Sequence, residues 1–290
     1  KIIGDIPIYV AQDSVDTWAN PRLFALDRKR IPTLVAGCPP DAFTEDGQLW
    51  GNPIYDWKEV KKDNFRWWIN RIKATAEMFD VVRIDHFRGF ASFYVIKNGA
   101  KNARTGKWIE APGTELFDRV KKELPSIDII AEDLGYITED VRELMKRVGY
   151  PGMKVLLFAF GGGGDSDFLP YKIDENSAAY IGTHDNDTFL GWWENAKEEE
   201  KVLAKAYMNL TEEEGYNWGI IRTLYGTKAN RTIVQMQDIL ALDNDARMNL
   251  PGTVGDNWQW RLKHGDCSNE LSGKLHYFAK IFGRLGKQKR

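Results

Sequence analysis

Apolar residues along this chain gather into short, nearly continuous runs at 2–10, 81–84, 127–131, 153–160, 179–182 and 232–236. Runs this short, with little polar alternation, predict strands covered on both faces. Between them the spacing changes. Within 59–79, Phe65, Trp68, Ile69, Ile72, Ala76 and Phe79 recur three or four apart, the stripe of a helix with one buried face. A second helix is predicted over 138–148, with Thr138 as its cap, Glu139 and Asp140 at the positive end of its dipole and Gly149 closing it. Strands alternating with helices predict an α/β fold with a parallel sheet. Residues 35–47 are rich in turn formers and read as a long loop, a class of segment that often carries function. The four glycines at 161–164 lack the Lys-Ser/Thr of a phosphate-binding loop and read as flexible connection.

Three apolar runs end abruptly in charge: VVRIDHFRGF (81–90), IDIIAEDLG (127–135) and AAYIGTHDNDT (178–188). Asp85, Glu132 and Asp185 each stand just past a predicted strand, and Asp5 lies within the first run. In (β/α)8 barrels the active site is assembled from residues at the carboxyl ends of several strands. Arg83 and Asp85 are two apart, so on a strand they face the same way, and the guanidinium favours an ionised Asp85. Glu132 follows an apolar strand with no basic neighbour in sequence; burial there raises its pKa, as a proton donor at neutral pH requires. One charged and one protonated carboxyl is the glycosidase arrangement. Any one acid could merely cap a helix or pair with an arginine. Three at three strand ends ask for a common cause. The rival is a divalent metal held with His86 and His184, which adjoin Asp85 and Asp185. Against it, the chain has 4 histidines and no His-x-His or HExxH pattern.

Composition narrows the partners. The 290 residues are 43% hydrophobic and 28% charged with a net charge of -2, which offers no electrostatic case for nucleic acid or an anionic membrane. No apolar run approaches the ~20 residues of a membrane helix. Cys38 and Cys267 sit in no CxxC pattern and suggest neither a disulfide framework nor a zinc site. The 11 tryptophans include Trp50, the pairs Trp67–Trp68 and Trp192–Trp193, Trp258 and Trp260. Most such rings fill cores, and the alternative is a site lined by flat faces for a sugar.

Seven stretches carry a family resemblance: GDIPIYVAQDS (4–14), PPDAFTEDGQLWGNPIYDW (39–57), VRIDHFRGF (82–90), AEDLG (131–135), PGMKVLLFAF (151–160), GTHDNDT (182–188) and ARMNLPG (246–252). In that order and together they resemble the 4-α-glucanotransferases, the amylomaltase or disproportionating-enzyme family of the α-amylase clan. The resemblance implies a (β/α)8 TIM-barrel fold. Because the GDIPI segment matches the family's third strand, only strands three to eight are expected in this chain and the first two are expected to be missing. Residues 1–290 would be one partial catalytic barrel region with a loop insertion at about 35–57.

By the same resemblance Asp85 matches the nucleophile, Glu132 the general acid/base and Asp185 the third carboxylate. Asp5, Arg83, His86 and His184 match residues around the glucose at the cleavage point. Trp50 and Asn52 lie in the loop that overhangs the site, and Asn249 lies in the last matched motif. The implied activity is transfer of α-1,4-glucan segments to the 4-hydroxyl of an acceptor by a retaining double displacement, on maltooligosaccharides, without metal or organic cofactor. The implied compartment is the cytoplasm, or the plastid in a plant. The alternatives are an α-1,4-glucan hydrolase and an inactive glucan-binding fragment. The family often has an aromatic residue where this chain has Ala42, which bears on acceptor stacking and on cyclisation.

Overall fold

The computed structural model describes residues 1–40 and 44–286. Ala42 lies outside the described residues. Two compact units divide the chain, Lys1–Gly152 and Met153–Arg290. Among the described residues no helix is long and apolar enough to cross a membrane.

The first unit holds two sheets. Strands β1 (Ile3–Ile6), β4 (Val81–Ile84) and β7 (Ile129–Ala131) form a parallel sheet in the order β1-β4-β7. Strands β2 (Leu34–Cys38), β3 (Gln48–Pro53), β5 (Ser92–Lys97) and β6 (Gly106–Glu110) form an antiparallel sheet in the order β3-β2-β5-β6. β4 is buried along its whole length, as a central parallel strand is, with Arg83 the one charged residue in its otherwise apolar run. Its register sets Asp5 opposite Arg83 and Ile84 opposite Ala131, so the residues just beyond Ile84 and Ala131 emerge side by side. Trp68, Phe87, Phe90 and Phe117 are fully buried in the core beside this sheet. Trp68 meets Phe90 edge-on at 5.0 Å, so the Trp67–Trp68 pair serves packing.

Within the segment 35–57, expected as a long loop, strands Leu34–Cys38 and Gln48–Pro53 form and pair antiparallel. Gly37 makes the pairing possible, since a Cβ there would fall 2.2 Å from the Gln48 carbonyl oxygen. Glycine inside so short an apolar run hides the strand from a pattern search. The helical stripe over 59–79 also divides, into Trp57–Lys62 and Arg66–Met78. Asn64 and Phe65 take left-handed φ values of 51° and 58° between them. That turn lets Phe65 enter the core. The helix Glu139–Val148 ends in Gly149 at φ 64°, as expected, but Thr138 makes no side-chain capping bond at its start.

β8 (Gly152–Val155), which enters the second unit at Met153, forms a sheet with β9 (Ser177–Tyr180) and β10 (Arg231–Ile233) in the order β10-β9-β8, with β9 and β10 parallel. The run 153–160 leaves the sheet after Val155 and closes as a 3-10 turn over Leu156–Phe158. Helices Phe189–Asn195, Glu198–Met208 and Tyr216–Tyr225 follow β9 before the chain returns to β10. Leu156, Ile181, Phe189, Ile220, Ile221 and Leu224 are buried within this unit.

Candidate active site

In the first unit the ends of three parallel strands converge on one cation. Arg83 points from β4 and is 7% exposed. Its Nη1 donates to Oδ1 and Oδ2 of Asp5, each at 2.8 Å, and lies 3.0 Å from Oδ1 of Asp85. Parallel pairing dictates this, because Asp5 is Arg83's partner in register and Asp85 lies two residues on along the same face. Burial alone would lower the Arg83 pKa. The charges of Asp85, Asp5 and Glu132 outweigh burial and raise it, so the guanidinium stays charged.

Glu132 follows β7 and is 8% exposed. Its two oxygens are held by main-chain donors: His86 N–H reaches Oε2 at 2.7 Å and Leu134 N–H reaches Oε1 at 2.8 Å. Burial, then the charge of Asp85, push its pKa up to about 8, against the lowering pull of Arg83 and the two amides. The carboxyl is thereby fixed in orientation and kept protonated at neutral pH. His86 adopts a left-handed backbone with φ 46°, which turns the chain at the end of β4. Burial first, then Arg88, lower the His86 imidazole to about 3, so it is neutral. The ring meets Trp50 of β3 edge-on with centroids 4.8 Å apart. Asn52, also on β3, spends its Nδ2 on the Val10 carbonyl at 3.0 Å and so ties this strand to the segment after β1.

A second cluster lies in the second unit, on the loop after β9. Asp185 Oδ1 accepts from Asn249 Nδ2 at 2.6 Å, and its Oδ2 lies 3.2 Å from His184 Nε2. Asn249 N–H donates to the His184 carbonyl at 3.0 Å, which draws the two loops together. Arg247, which sequence reasoning did not single out, organises this cluster. Its guanidinium donates to the Asp187 carboxylate and, at 2.6 Å, to the Asp185 carbonyl, while Nε reaches the Asn249 carbonyl at 2.9 Å. Both Arg247 and Asp187 stood inside the matched stretches ARMNLPG and GTHDNDT, and that was the available signal. Among the described residues no group of three or more His, Cys, Asp or Glu side chains is arranged to hold a metal ion.

The ten expected site residues thus fall in two clusters, seven in the first unit and three in the second. The sequence profile of the family described as 4-alpha-glucanotransferase matches residues 1–267. The chain belongs to that family. It is 52% identical over 286 residues to the 4-alpha-glucanotransferase of Clostridium butyricum, covering 98% of this chain and 59% of that protein. It is 47% identical over 287 residues to the chloroplastic/amyloplastic 4-alpha-glucanotransferase of Arabidopsis thaliana, covering 98% of this chain and 50% of that protein. Among solved structures, the amylomaltase of Streptococcus agalactiae in complex with acarbose superposes with a TM-score of 0.95 at 45% identity, over 98% of this chain and 58% of that one. The amylomaltase of Corynebacterium glutamicum superposes with a TM-score of 0.75 at 17% identity, over 99% and 46%, a likeness of fold alone. The chain thus spans between half and three-fifths of the length of the curated relatives named here.

Within this family an α/β chain with parallel strands is the expected setting, and the parallel pairings β1-β4-β7 and β9-β10 agree with it. All site residues named from the sequence, Asp5, Trp50, Asn52, Arg83, Asp85, His86, Glu132, His184, Asp185 and Asn249, are among the described residues.

Proposed function

We propose that this chain carries the catalytic chemistry of a 4-α-glucanotransferase acting on maltooligosaccharides and longer α-1,4-glucans. Its parallel strands are read as strands of a (β/α)8-type barrel. The observation that carries the reading is the contrast between two carboxyls of the first unit. Asp85 lies 3.0 Å from a buried guanidinium, while Glu132 is buried, held by two amides and pushed toward its protonated form. That pairing suits a retaining glycoside transfer.

In the first half-reaction Glu132 gives its proton to the glycosidic oxygen as the bond to the leaving sugar breaks. The Asp85 carboxylate forms a bond to the anomeric carbon. In the second, the 4-hydroxyl of an acceptor sugar loses its proton to the Glu132 carboxylate and attacks the same carbon, releasing Asp85 and restoring an α bond. Arg83 keeps Asp85 oriented between the two steps. Asp185, with His184 and Asn249 on its two oxygens, is assigned the third carboxylate's role of binding sugar hydroxyls. Transfer exceeds hydrolysis when a sugar outcompetes water for the intermediate. The half-buried Trp50 over His86 offers an apolar surface that favours this. The cytoplasm, or a plastid in a plant, is the compartment that such substrates suggest.

The test is a time course of maltotriose with the purified chain, with products resolved by size. Glucose together with maltopentaose and longer sugars is the expected result. Glucose and maltose without longer sugars would reassign the chain as a hydrolase. An unchanged substrate would overturn the transfer reading for this chain.

A further inference from the structure

The loop beyond Asn249 is built around an outward-facing tryptophan. Trp258 is 51% exposed, and its backbone is left-handed with φ 64°. A bulky residue held there is strained, and a half-exposed indole returns little of that cost through burial. The loop nevertheless fixes it firmly. Trp258 N–H donates to the Met248 carbonyl at 2.6 Å. Arg261 Nη1 donates to the Trp258 carbonyl at 2.9 Å. Asn257 Oδ1, one residue earlier, accepts from Leu250 N–H at 2.9 Å. The main chain of the loop is therefore anchored around a half-exposed indole.

Position gives the indole a use. Its ring centroid lies 5.1 Å from the His184 imidazole, tilted by 40°. His184 Nε2 in turn stands 3.2 Å from Asp185. A flat apolar face beside an imidazole and a carboxylate matches a glucosyl ring, whose C–H face is apolar and whose rim is lined with hydroxyls. A rigid indole also loses little conformational freedom when a ring stacks on it. We propose that Trp258 is a stacking platform for one glucosyl ring of the glucan, at a subsite whose polar edge is His184 and Asp185. The proposal rests on the glucan-transfer reading above. In sequence Trp258 was one tryptophan among many, and nothing in its neighbours marked it as exposed or strained.

The test is calorimetric titration of the chain with maltoheptaose in an Asp85→Asn background, where the sugar is not consumed, comparing Trp258 with Trp258→Ala and Trp258→Phe. Melting curves of the three are recorded alongside, and KM and kcat are measured for the two variants with Asp85 restored. Loss of stacking should weaken binding by roughly tenfold or more in Trp258→Ala, the scale of one ring stacked on an aromatic face. Trp258→Phe should recover most of it, with the kinetic loss falling on KM rather than kcat. Equal binding by Trp258→Ala would overturn the platform and leave the function standing. Equal weakening in the alanine and phenylalanine variants would also overturn it, because loop shape and not stacking would then be at work. If the chain with Trp258 intact bound no maltoheptaose, the glucan-transfer reading itself would fall and this proposal with it.

Discussion

The main-chain N–H of His86 donates to Oε2 of Glu132 at 2.7 Å, so the residue that follows Asp85 orients the second carboxyl. The contact requires the left-handed turn at His86, a conformation with a cost of its own for a residue with a side chain. Its effect is to couple the two candidate catalytic groups through the backbone, at the strand ends where β4 and β7 leave the sheet side by side. Since an amide fixes each Glu132 oxygen, rotation of the carboxyl away from Asp85 would break two hydrogen bonds.

A pH profile follows from the direction of the Glu132 shift. The protonated carboxyl is the competent acid in bond cleavage, so kcat/KM falls as the pH rises through a pKa of about 8. Arg83 lowers that pKa, so Arg83→Met, besides costing rate, should move the remaining alkaline limb to higher pH. Glu132→Gln should lose roughly 10²–10⁴ in rate and show no such limb. A limb that stays in place in Glu132→Gln would assign it to another group.

Asp85→Asn removes the proposed nucleophile and leaves the shape of the site. Turnover should fall on the order of 10⁴-fold or more, with maltooligosaccharide still bound. Rates like those of the unaltered chain, measured by product release from maltotriose, would refute its assignment.

Arg247 joins the Asp187 carboxylate to the Asp185 and Asn249 carbonyls. Arg247→Met should lower activity by about 10²-fold through misplacement of Asp185. Arg247→Lys should rescue little, because an ammonium lacks the planar fork that serves three acceptors at once. Full rescue by lysine would show that charge alone matters there.

Asp238 is 1% exposed, with Oδ1 accepting from Phe189 N–H at 2.7 Å and Oδ2 without a partner among the described residues. Burial raises its pKa to about 7, while the Phe189 amide pulls it down. A carboxyl raised on folding binds more protons in the folded state. Its contribution is therefore fully present below the unfolded pKa of about 4 and is lost as the pH climbs through 7. Asp238→Asn keeps an acceptor for Phe189 without the ionisation. The melting temperature of this variant relative to the parent should rise between pH 5 and pH 8, and a difference that does not change with pH would count against a buried titrating carboxyl.

Much of this was legible in the chain, for reasons that are local. β4 occupies the residues its apolar run indicated, because a strand buried on both faces cannot carry polar alternation. The same logic drew attention to Asp85 and Glu132, since each stands just past the end of such a run. Gly149 closing its helix needed only a backbone freedom that one residue type has. The strands Leu34–Cys38 and Gln48–Pro53 escaped notice because Gly37 and turn-forming neighbours mask their pattern, and only pairing with each other and with β5 makes them strands. The break at residues 63–65 escaped notice because the apolar stripe begins only at Phe65, so its spacing holds no record of it.

What the chain determined unaided was the set of chemical groups and their family: carboxylates at strand ends, the arginine two residues before one of them, and the motifs that carry the resemblance. Tertiary structure alone decided which groups act on which. Arg83 reaches Asp5 across 78 residues of sequence, His86 reaches Glu132 across 46, and Arg247 reaches Asp187 across 60. Local periodicity reports which face of an element is buried; it holds no record of what folding later brings against that face. Burial is likewise a property of the whole fold, and it is burial, with Asp85 beside it, that pushes the Glu132 pKa up to about 8.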